Sequence, residues 1–114
     1  MLERKFRLRH EKDIKALFAK GRSIRNSLCL LRFGRNRIEI SRLTVIAGTK
    51  VSKDAVVRNR VKRQFREILR FFEPRITPGF DVAVVVNRGA LGRSYQELKT
   101  SLEILLKQAR ILHD

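Results

Sequence analysis

The sequence predicts an α+β fold in which helices pack against a single mixed β-sheet. Amphipathic helical segments alternate with short apolar segments of β-strand character. One of these, at residues 82–86, is an unbroken apolar run, which is typical of a strand covered on both faces. The predicted order is helix, two or three strands, helix, strand, helix, and this order favours one sheet with helices packed against it.

The first predicted element is a short helix that ends before Gly21. Ile14, Leu17 and Phe18 have the i, i+3, i+4 spacing of one helical face. Glycine commonly follows the last turn of a helix. We therefore expect a helix over the residues that precede Gly21, with these three side chains on its apolar side.

A β-hairpin is predicted next. Residues 28–33 are mostly apolar and compatible with a strand, and residues 34–36 supply the turn. Apolar and polar residues then alternate at 38–40, which predicts the second strand of the hairpin. Residues 43–47 form either a third strand or an extension of the second.

The longest helix is predicted to run from Ala55 to about Glu73. Its apolar residues recur at spacings of three and four, as expected for one buried helical face. These residues are Val57, Val61, Phe65, Ile68, Leu69 and Phe72. Asp54 is a candidate cap for the helix. Pro74 and Pro78 bound the loop that follows, because proline disfavours helical geometry in the residue before it.

The last part of the chain predicts a strand and a helix. Residues 80–86 should form the central strand, since their apolar run needs cover on both faces. Ser94 and Glu97 have the spacing of a capping box, in which each side chain binds the backbone of the other residue. A stripe of leucines follows from Leu98, and it predicts a C-terminal helix.

The composition points to one folded, strongly basic domain. With 114 residues and 43% hydrophobic residues, the chain is expected to form a single domain over residues 1–114. Its 27 lysine and arginine residues exceed its 11 acidic residues and give a net charge of +16. Such a charge repels itself unless an anionic partner neutralises it. Nucleic acid, an acidic membrane surface and an acidic protein are the candidate partners.

The sequence favours a cytoplasmic protein without a membrane anchor. Cys29 is the single cysteine, which excludes an internal disulfide framework and suits a reducing compartment. The N-terminus is basic but lacks the apolar region of a signal peptide, and no run approaches the ~18 apolar residues of a membrane-spanning helix.

The basic residues concentrate on the helix that begins at Ala55. At ~100° per residue, one arc about 100° wide holds a set of polar and basic side chains nearly opposite the apolar stripe. The set is Asn59, Lys62, Arg63, Arg66 and Arg70. A helix face that is only solvated usually carries acidic partners at i, i+4, and these are nearly absent here. A membrane-surface helix is the other alternative, but its apolar residues are needed for the core.

Residues for protein-based catalysis are sparse. His10 and His113 lie near opposite ends of the chain, outside any motif, and a protein nuclease needs a proton-transfer pair or metal-binding carboxylates. Asp54 and Asp81 are isolated, and structural roles are favoured for both. Cys29 lies in an apolar strand and is expected in the core. The composition therefore favours a binding protein over an enzyme, with no catalytic or metal-binding residue assigned.

Several ordered motifs resemble the protein subunit of bacterial ribonuclease P. The main one comprises Lys50 and the run Ala55-Val56-Val57-Arg58-Asn59-Arg60-Val61-Lys62-Arg63-Gln64-Phe65-Arg66-Glu67. The resemblance continues through residues 13–21, residues 80–86, Tyr95 and the leucine-rich last helix. It implies a small α-β sandwich in which the basic helix joins two parallel strands by a left-handed crossover. Such crossovers are normally right-handed.

The resemblance also implies a function in tRNA maturation. With ribonuclease P RNA, the protein would help remove the 5′ leader from precursor tRNA, and the RNA would hold the active site and its Mg²⁺ ions. No cofactor is assigned to the protein itself. The matching residues expected to contact the catalytic RNA are Arg58, Asn59, Arg60, Lys62, Arg63 and Arg66.

A leader-binding cleft beside the first helix is implied by the same resemblance. Phe18 matches a family aromatic residue that stacks on bases, although Phe18 as a core residue is the alternative interpretation. Ile14 and Arg32 replace aromatic residues of the family, so the cleft depends more on charge, with Arg32 and Lys50 meeting phosphates. The alternative functions are a structural RNA-binding protein such as a ribosomal component and a nuclease that acts without RNA.

Overall fold

The structure is a computed structural model, and it describes residues 6–113. Three helices and four strands occur in this range, joined by short loops and two 3-10 turns at Glu73–Arg75 and Arg88–Ala90. In chain order the elements are α1 (Glu11–Lys20), β1 (Arg22–Arg25), β2 (Cys29–Arg35), β3 (Arg42–Ile46), α2 (Ala55–Phe72), β4 (Phe80–Val86) and α3 (Tyr95–Gln108).

The four strands form one mixed sheet in the order β1-β2-β4-β3. β2 is antiparallel to both β1 and β4, whereas β3 and β4 are parallel neighbours. Parallel neighbours need a crossover connection, and α2 supplies it. The predicted α+β class, the single mixed sheet and the central position of β4 are therefore confirmed.

Helices cover both faces of the sheet. On one face, α2 and α3 pack against the side chains of Leu31, Val45 and Val84, and these belong to the main core. On the other face, α1 packs through Leu17 against Ala83 in a smaller cluster. The sheet therefore separates α1 from the other two helices, and α2 follows the β3 edge.

The strands predicted from the sequence differ from the structure in two places: one strand was missed and one predicted strand was wrong. β1 was not predicted, because three of its four residues are exposed and no apolar alternation marks it. Residues 38–40 do not form a strand, although their alternation predicted one. The Asn36 side chain accepts a hydrogen bond from the Ile38 N–H at 3.0 Å and donates one to the Ile40 carbonyl at 3.0 Å. These bonds fold the segment into a turn, so β2 pairs with β1 and β4 instead.

The predicted helix boundaries agree with the structure. Asp54 caps α2, since its side chain accepts a hydrogen bond from the Val56 N–H at 2.9 Å. Ser94 and Glu97 form the predicted capping box of α3. Gly21 follows the last residue of α1, as predicted. Glycine is required there because a Cβ would lie 2.6 Å from the Leu17 carbonyl oxygen and 2.8 Å from the Phe33 carbonyl oxygen, too close for any other side chain.

Candidate RNA-binding surface

The basic helix α2 is fixed in the fold by its apolar face. Five of its apolar residues are buried, namely Val61, Phe65, Ile68, Leu69 and Phe72. Their spacing leaves the opposite side of the helix free of core contacts. This arrangement holds the cationic side chains on a rigid support, so their relative positions do not depend on loop conformation.

The six predicted RNA-binding residues divide into an exposed and a half-buried set. The exposed residues are Asn59, Arg60 and Arg63, and the half-buried residues are Arg58, Lys62 and Arg66. None of the five cations forms an ion pair with a carboxylate of residues 6–113. Their charges are therefore available to an anionic partner.

Arg58 also has a structural role that the sequence did not predict. Its Nη1 donates a hydrogen bond to the Ser52 carbonyl oxygen at 2.9 Å. This contact closes the loop between β3 and α2, where Lys50 is exposed. Arg58 thus helps to hold the loop that carries Lys50, and the remaining N–H groups of its guanidinium can bind another acceptor.

A cavity of about 360 Å³ lies between the N-terminal segment, α1, β3 and α2. Lys62 and Arg66 of α2 line it together with Ile14 of α1 and Thr44 of β3. Arg7 and Arg9 complete its cationic wall, and no residue lining it within 6–113 is acidic. The cavity joins apolar surface to positive charge, a combination that suits the base and the phosphate of a nucleotide.

Phe18 and Arg32 form a separate pair at the other end of α1. Phe18 is 40% exposed, so the alternative interpretation of Phe18 as a core residue was wrong. Arg32 donates hydrogen bonds from Nε to the Leu17 carbonyl at 3.2 Å and from Nη2 to the Phe18 carbonyl at 2.6 Å. Its Cζ lies 6.0 Å from the centre of the Phe18 ring. Two of the Arg32 donors are therefore engaged in capping α1.

The four predicted cleft residues are thus distributed over three places. Ile14 lines the cavity beside α2, and Lys50 lies in the loop before α2. Arg32 is paired with Ala83 in the sheet, on the face that α1 covers, and Phe18 lies beside it. Ile14, Phe18 and Arg32 share that face of the sheet, whereas Lys50 is outside it.

An ion-pair network holds α1 to the sheet and was not predicted. Arg42 binds both carboxylate oxygens of Asp81, at 2.9 and 2.8 Å, and also donates to Asp13 of α1 at 3.0 Å. The hydrogen bond from Arg42 to Asp81 raises the pKa of the guanidinium. Asp81 is buried, which confirms its structural role. A carboxylate in an apolar strand was the signal that a cationic partner would lie nearby.

Metal-binding and nucleophilic side chains were the remaining candidates for a site. Between residues 6 and 113, no three His, Cys, Asp or Glu side chains are grouped so that they could hold a metal ion. Cys29 is fully buried, and burial raises the pKa of its thiol to about 12. A protonated thiol is a poor nucleophile, so the predicted core role of Cys29 is confirmed. None of the helices between residues 6 and 113 could span a membrane.

Comparison with known proteins identifies the family. The family model for ribonuclease P matches residues 2–110 of the chain. The chain belongs to the ribonuclease P protein family. The ribonuclease P protein component of a Synechocystis species is 38% identical over 112 residues, covering 97% of this chain and 90% of the relative. The resemblance seen in the sequence, and the subunit role that it implied, are therefore confirmed.

Solved structures of ribonuclease P proteins share the fold. The Thermotoga maritima protein has a TM-score of 0.81 and 30% identity, covering 90% of this chain and 96% of its own. A Staphylococcus aureus RNase P protein mutant with defective mRNA degradation activity has a TM-score of 0.88 and 27% identity, covering 96% of this chain and 92% of its own. The matches span nearly the whole length of both relatives.

Proposed function

We propose that this chain binds ribonuclease P RNA through α2 and the 5′ leader of precursor tRNA beside α1. The RNA would then carry out the endonucleolytic removal of the leader. The observation that carries this proposal is the shared cavity, which Lys62 and Arg66 of the basic helix line together with Ile14 of the first helix. The two predicted RNA contacts meet there, so one protein could hold the catalytic RNA and its substrate side by side.

The catalytic RNA is assigned to the exposed side of α2. Asn59, Arg60 and Arg63 are exposed and face away from the core, and guanidinium groups can grip phosphates through paired hydrogen bonds. Asn59 adds a side chain that both donates and accepts hydrogen bonds. Lys62 and Arg66 lie at the boundary between this surface and the cavity, so they are positioned to neutralise phosphates of either RNA.

The leader is assigned to the α1 face of the sheet. The exposed ring of Phe18 offers a stacking surface for one base. Arg32 keeps three of its five donors for phosphate oxygens, because two are engaged with α1. Lys50 lies outside this face and adds an exposed positive charge in the loop before α2. Base stacking and phosphate contacts do not require a particular leader sequence, which suits a protein that binds many different precursor tRNAs.

The chemistry is assigned to the RNA and its Mg²⁺ ions, and the protein to binding and orientation. Phosphates of two RNA molecules repel one another when they approach, and the charge of +16 would lower that repulsion. The protein should therefore reduce the Mg²⁺ concentration that cleavage requires. Its free, buried Cys29 is compatible with work in the reducing cytoplasm.

Reconstitution tests this proposal directly. Purified protein, ribonuclease P RNA and precursor tRNA are combined at low Mg²⁺, and leader release is measured. We expect cleavage with both components and none with either alone at that Mg²⁺ concentration. Failure of the protein to stimulate its RNA would contradict the proposal, and co-purified ribosomal RNA would favour a structural RNA-binding protein instead.

Direct RNA cleavage by the protein is the second candidate function. The S. aureus mutant with defective mRNA degradation activity shares the fold of this chain, and it motivates the test. The protein is freed of RNA and incubated with an unstructured mRNA. Degradation that follows the protein through purification would support this candidate, whereas its absence would leave all cleavage to the RNA.

A further inference from the structure

A second cationic cavity lies at the opposite edge of the sheet. Its volume is about 410 Å³, and it has no lining residue in common with the cavity between α1 and α2. Four elements each supply one cation to it: the end of α1, the start of β1, the end of β2 and the segment after α3. These cations are Lys20, Arg22, Arg35 and Arg110.

The four cations lack acidic partners. No residue lining the cavity in the described range 6–113 is acidic, and none of the four forms an ion pair with a described carboxylate. The Cζ of Arg35 lies 5.1 Å from the centre of the Phe80 ring. This contact positions the guanidinium and leaves its N–H groups for an anion. Cations that line one cavity without a carboxylate among them repel one another, and an anion bound there would lower this repulsion.

Arg110 occupies its position at a conformational cost. Its φ of +59° is in the left-handed region, and among residues 6–113 no other non-glycine residue has a positive φ. The Ile111 N–H binds the Leu106 carbonyl and the Arg110 N–H binds the Lys107 carbonyl, both at 3.0 Å. This end of α3 resembles a Schellman motif, where glycine normally takes the left-handed position. Arginine is therefore less favourable for folding there than glycine.

We propose that this cavity binds a phosphodiester group of an RNA backbone, in a segment distinct from the one at α2. The proposal rests on the proposed function, since it adds a further RNA contact to those proposed at α2 and beside α1. Arginine side chains bind phosphate oxygens in pairs, and the cavity brings three arginines and one lysine to one place. A phosphate contact explains why arginine stands where glycine would stabilise the helix end. A cationic site at the opposite edge of the sheet would let the protein hold one more RNA segment than the surfaces at α1 and α2 do.

Arg110→Gly tests the site, because stability and binding should change in opposite directions. The melting temperature of the protein should rise by a few degrees, since the left-handed position becomes relaxed. The affinity for RNA should fall about three- to tenfold at low salt, and the salt dependence of log K should flatten by about one unit. Arg22→Gln, an exposed strand residue, should give the same loss of affinity.

Two binding measurements distinguish the source of the phosphate. One uses ribonuclease P RNA with the protein, and the other uses precursor tRNA with the assembled holoenzyme. A loss in either measurement supports the site and identifies the RNA. Arg88→Gln removes one exposed cation elsewhere and serves as the control for net charge.

The inference would be overturned if Arg110→Gly and Arg22→Gln both bound RNA with wild-type affinity in the two measurements. It would also be overturned if Arg88→Gln lost as much RNA affinity as they do. These outcomes can be separated from a failure of the proposed function. If the proposed function were wrong, the wild-type protein itself would not stimulate cleavage by the RNA. If the wild type does stimulate cleavage and the two variants bind normally, only the second cavity is refuted.

Discussion

Arg32 holds Phe18 through both the backbone and the ring. Its Nη2 donates a hydrogen bond to the Phe18 carbonyl oxygen at 2.6 Å, and its Cζ lies 6.0 Å from the ring centre. A second bond, from Nε, goes to the Leu17 carbonyl, which also accepts a hydrogen bond from the Gly21 N–H at 2.8 Å. Arg32 thus positions the aromatic side chain that is proposed to stack on the leader.

Arg32→Met should loosen the end of α1. Methionine keeps the unbranched stem of the side chain but removes the guanidinium and both hydrogen bonds, so the free energy of unfolding should fall by about 1–2 kcal/mol. Denaturant unfolding measures this change. Arg25→Met, at an exposed position of β1, provides the control and should change stability by less than about 0.5 kcal/mol. Equal stability of the two variants would show that the hydrogen bonds from Arg32 to α1 do not contribute to the free energy of unfolding.

Phe18→Ala should weaken binding of the leader with little effect on folding. A ring stacked on one base contributes about 1–3 kcal/mol, so the affinity for precursor tRNA should fall about five- to 150-fold while that for mature tRNA is unchanged. Holoenzyme binding assays with both RNAs measure the difference. Phe71→Ala removes another exposed ring, 51% exposed on α2, and should leave both affinities unchanged. Equal losses for precursor and mature tRNA would contradict a leader contact.

Asp81→Asn should destabilise the sheet and the attachment of α1. The substitution leaves the Arg42 guanidinium, whose side chain is 20% exposed, with only Asp13 as an ionic partner. We expect a loss of about 2–4 kcal/mol in the free energy of unfolding. Glu103→Gln, which breaks more exposed ion pairs on α3, should cost less than about 1 kcal/mol. A similarly small loss for Asp81→Asn would show that the network is not a structural anchor.

Arg63→Ala should reduce the salt dependence of RNA binding. Each lost phosphate contact lowers the slope of log K against log salt by about one unit. Filter binding to ribonuclease P RNA over a range of salt concentrations measures the slope. Arg88→Ala removes an exposed cation that is not part of α2 and should leave the slope unchanged. An unchanged slope for Arg63→Ala would argue against a phosphate contact at this residue.

The helices and the central strand could be predicted from the sequence because their signals are local. Residue spacing defined α2, and Asp54 marked its start. β1 and the turn at residues 38–40 could not be predicted in this way, because both depend on residues that are distant in the sequence. β1 is held by pairing with β2, and Asn36 of the turn also donates a hydrogen bond to Asp81, 45 positions away.

The residues of the site could be chosen from the family resemblance, but their arrangement could not. Ile14 and Arg66 are far apart in the sequence, and only the path of α2 along the β3 edge brings them to one cavity. The role of Arg32 in capping α1 was equally hidden, because it joins a strand to a helix across 14 positions. Contacts of this kind follow from topology rather than from residue patterns.

We propose that one protein holds the catalytic RNA and the leader on surfaces of α2 and α1 that meet at one cavity. The most direct test is the ratio of holoenzyme affinities for precursor and mature tRNA, measured with Lys62→Ala/Arg66→Ala and with Arg60→Ala/Arg63→Ala. Holoenzyme assembly is ensured by excess protein. We predict that the first pair lowers the ratio, because its side chains line the cavity beside Ile14, whereas the second weakens assembly and preserves the ratio. An unchanged ratio for the first pair would contradict the claim.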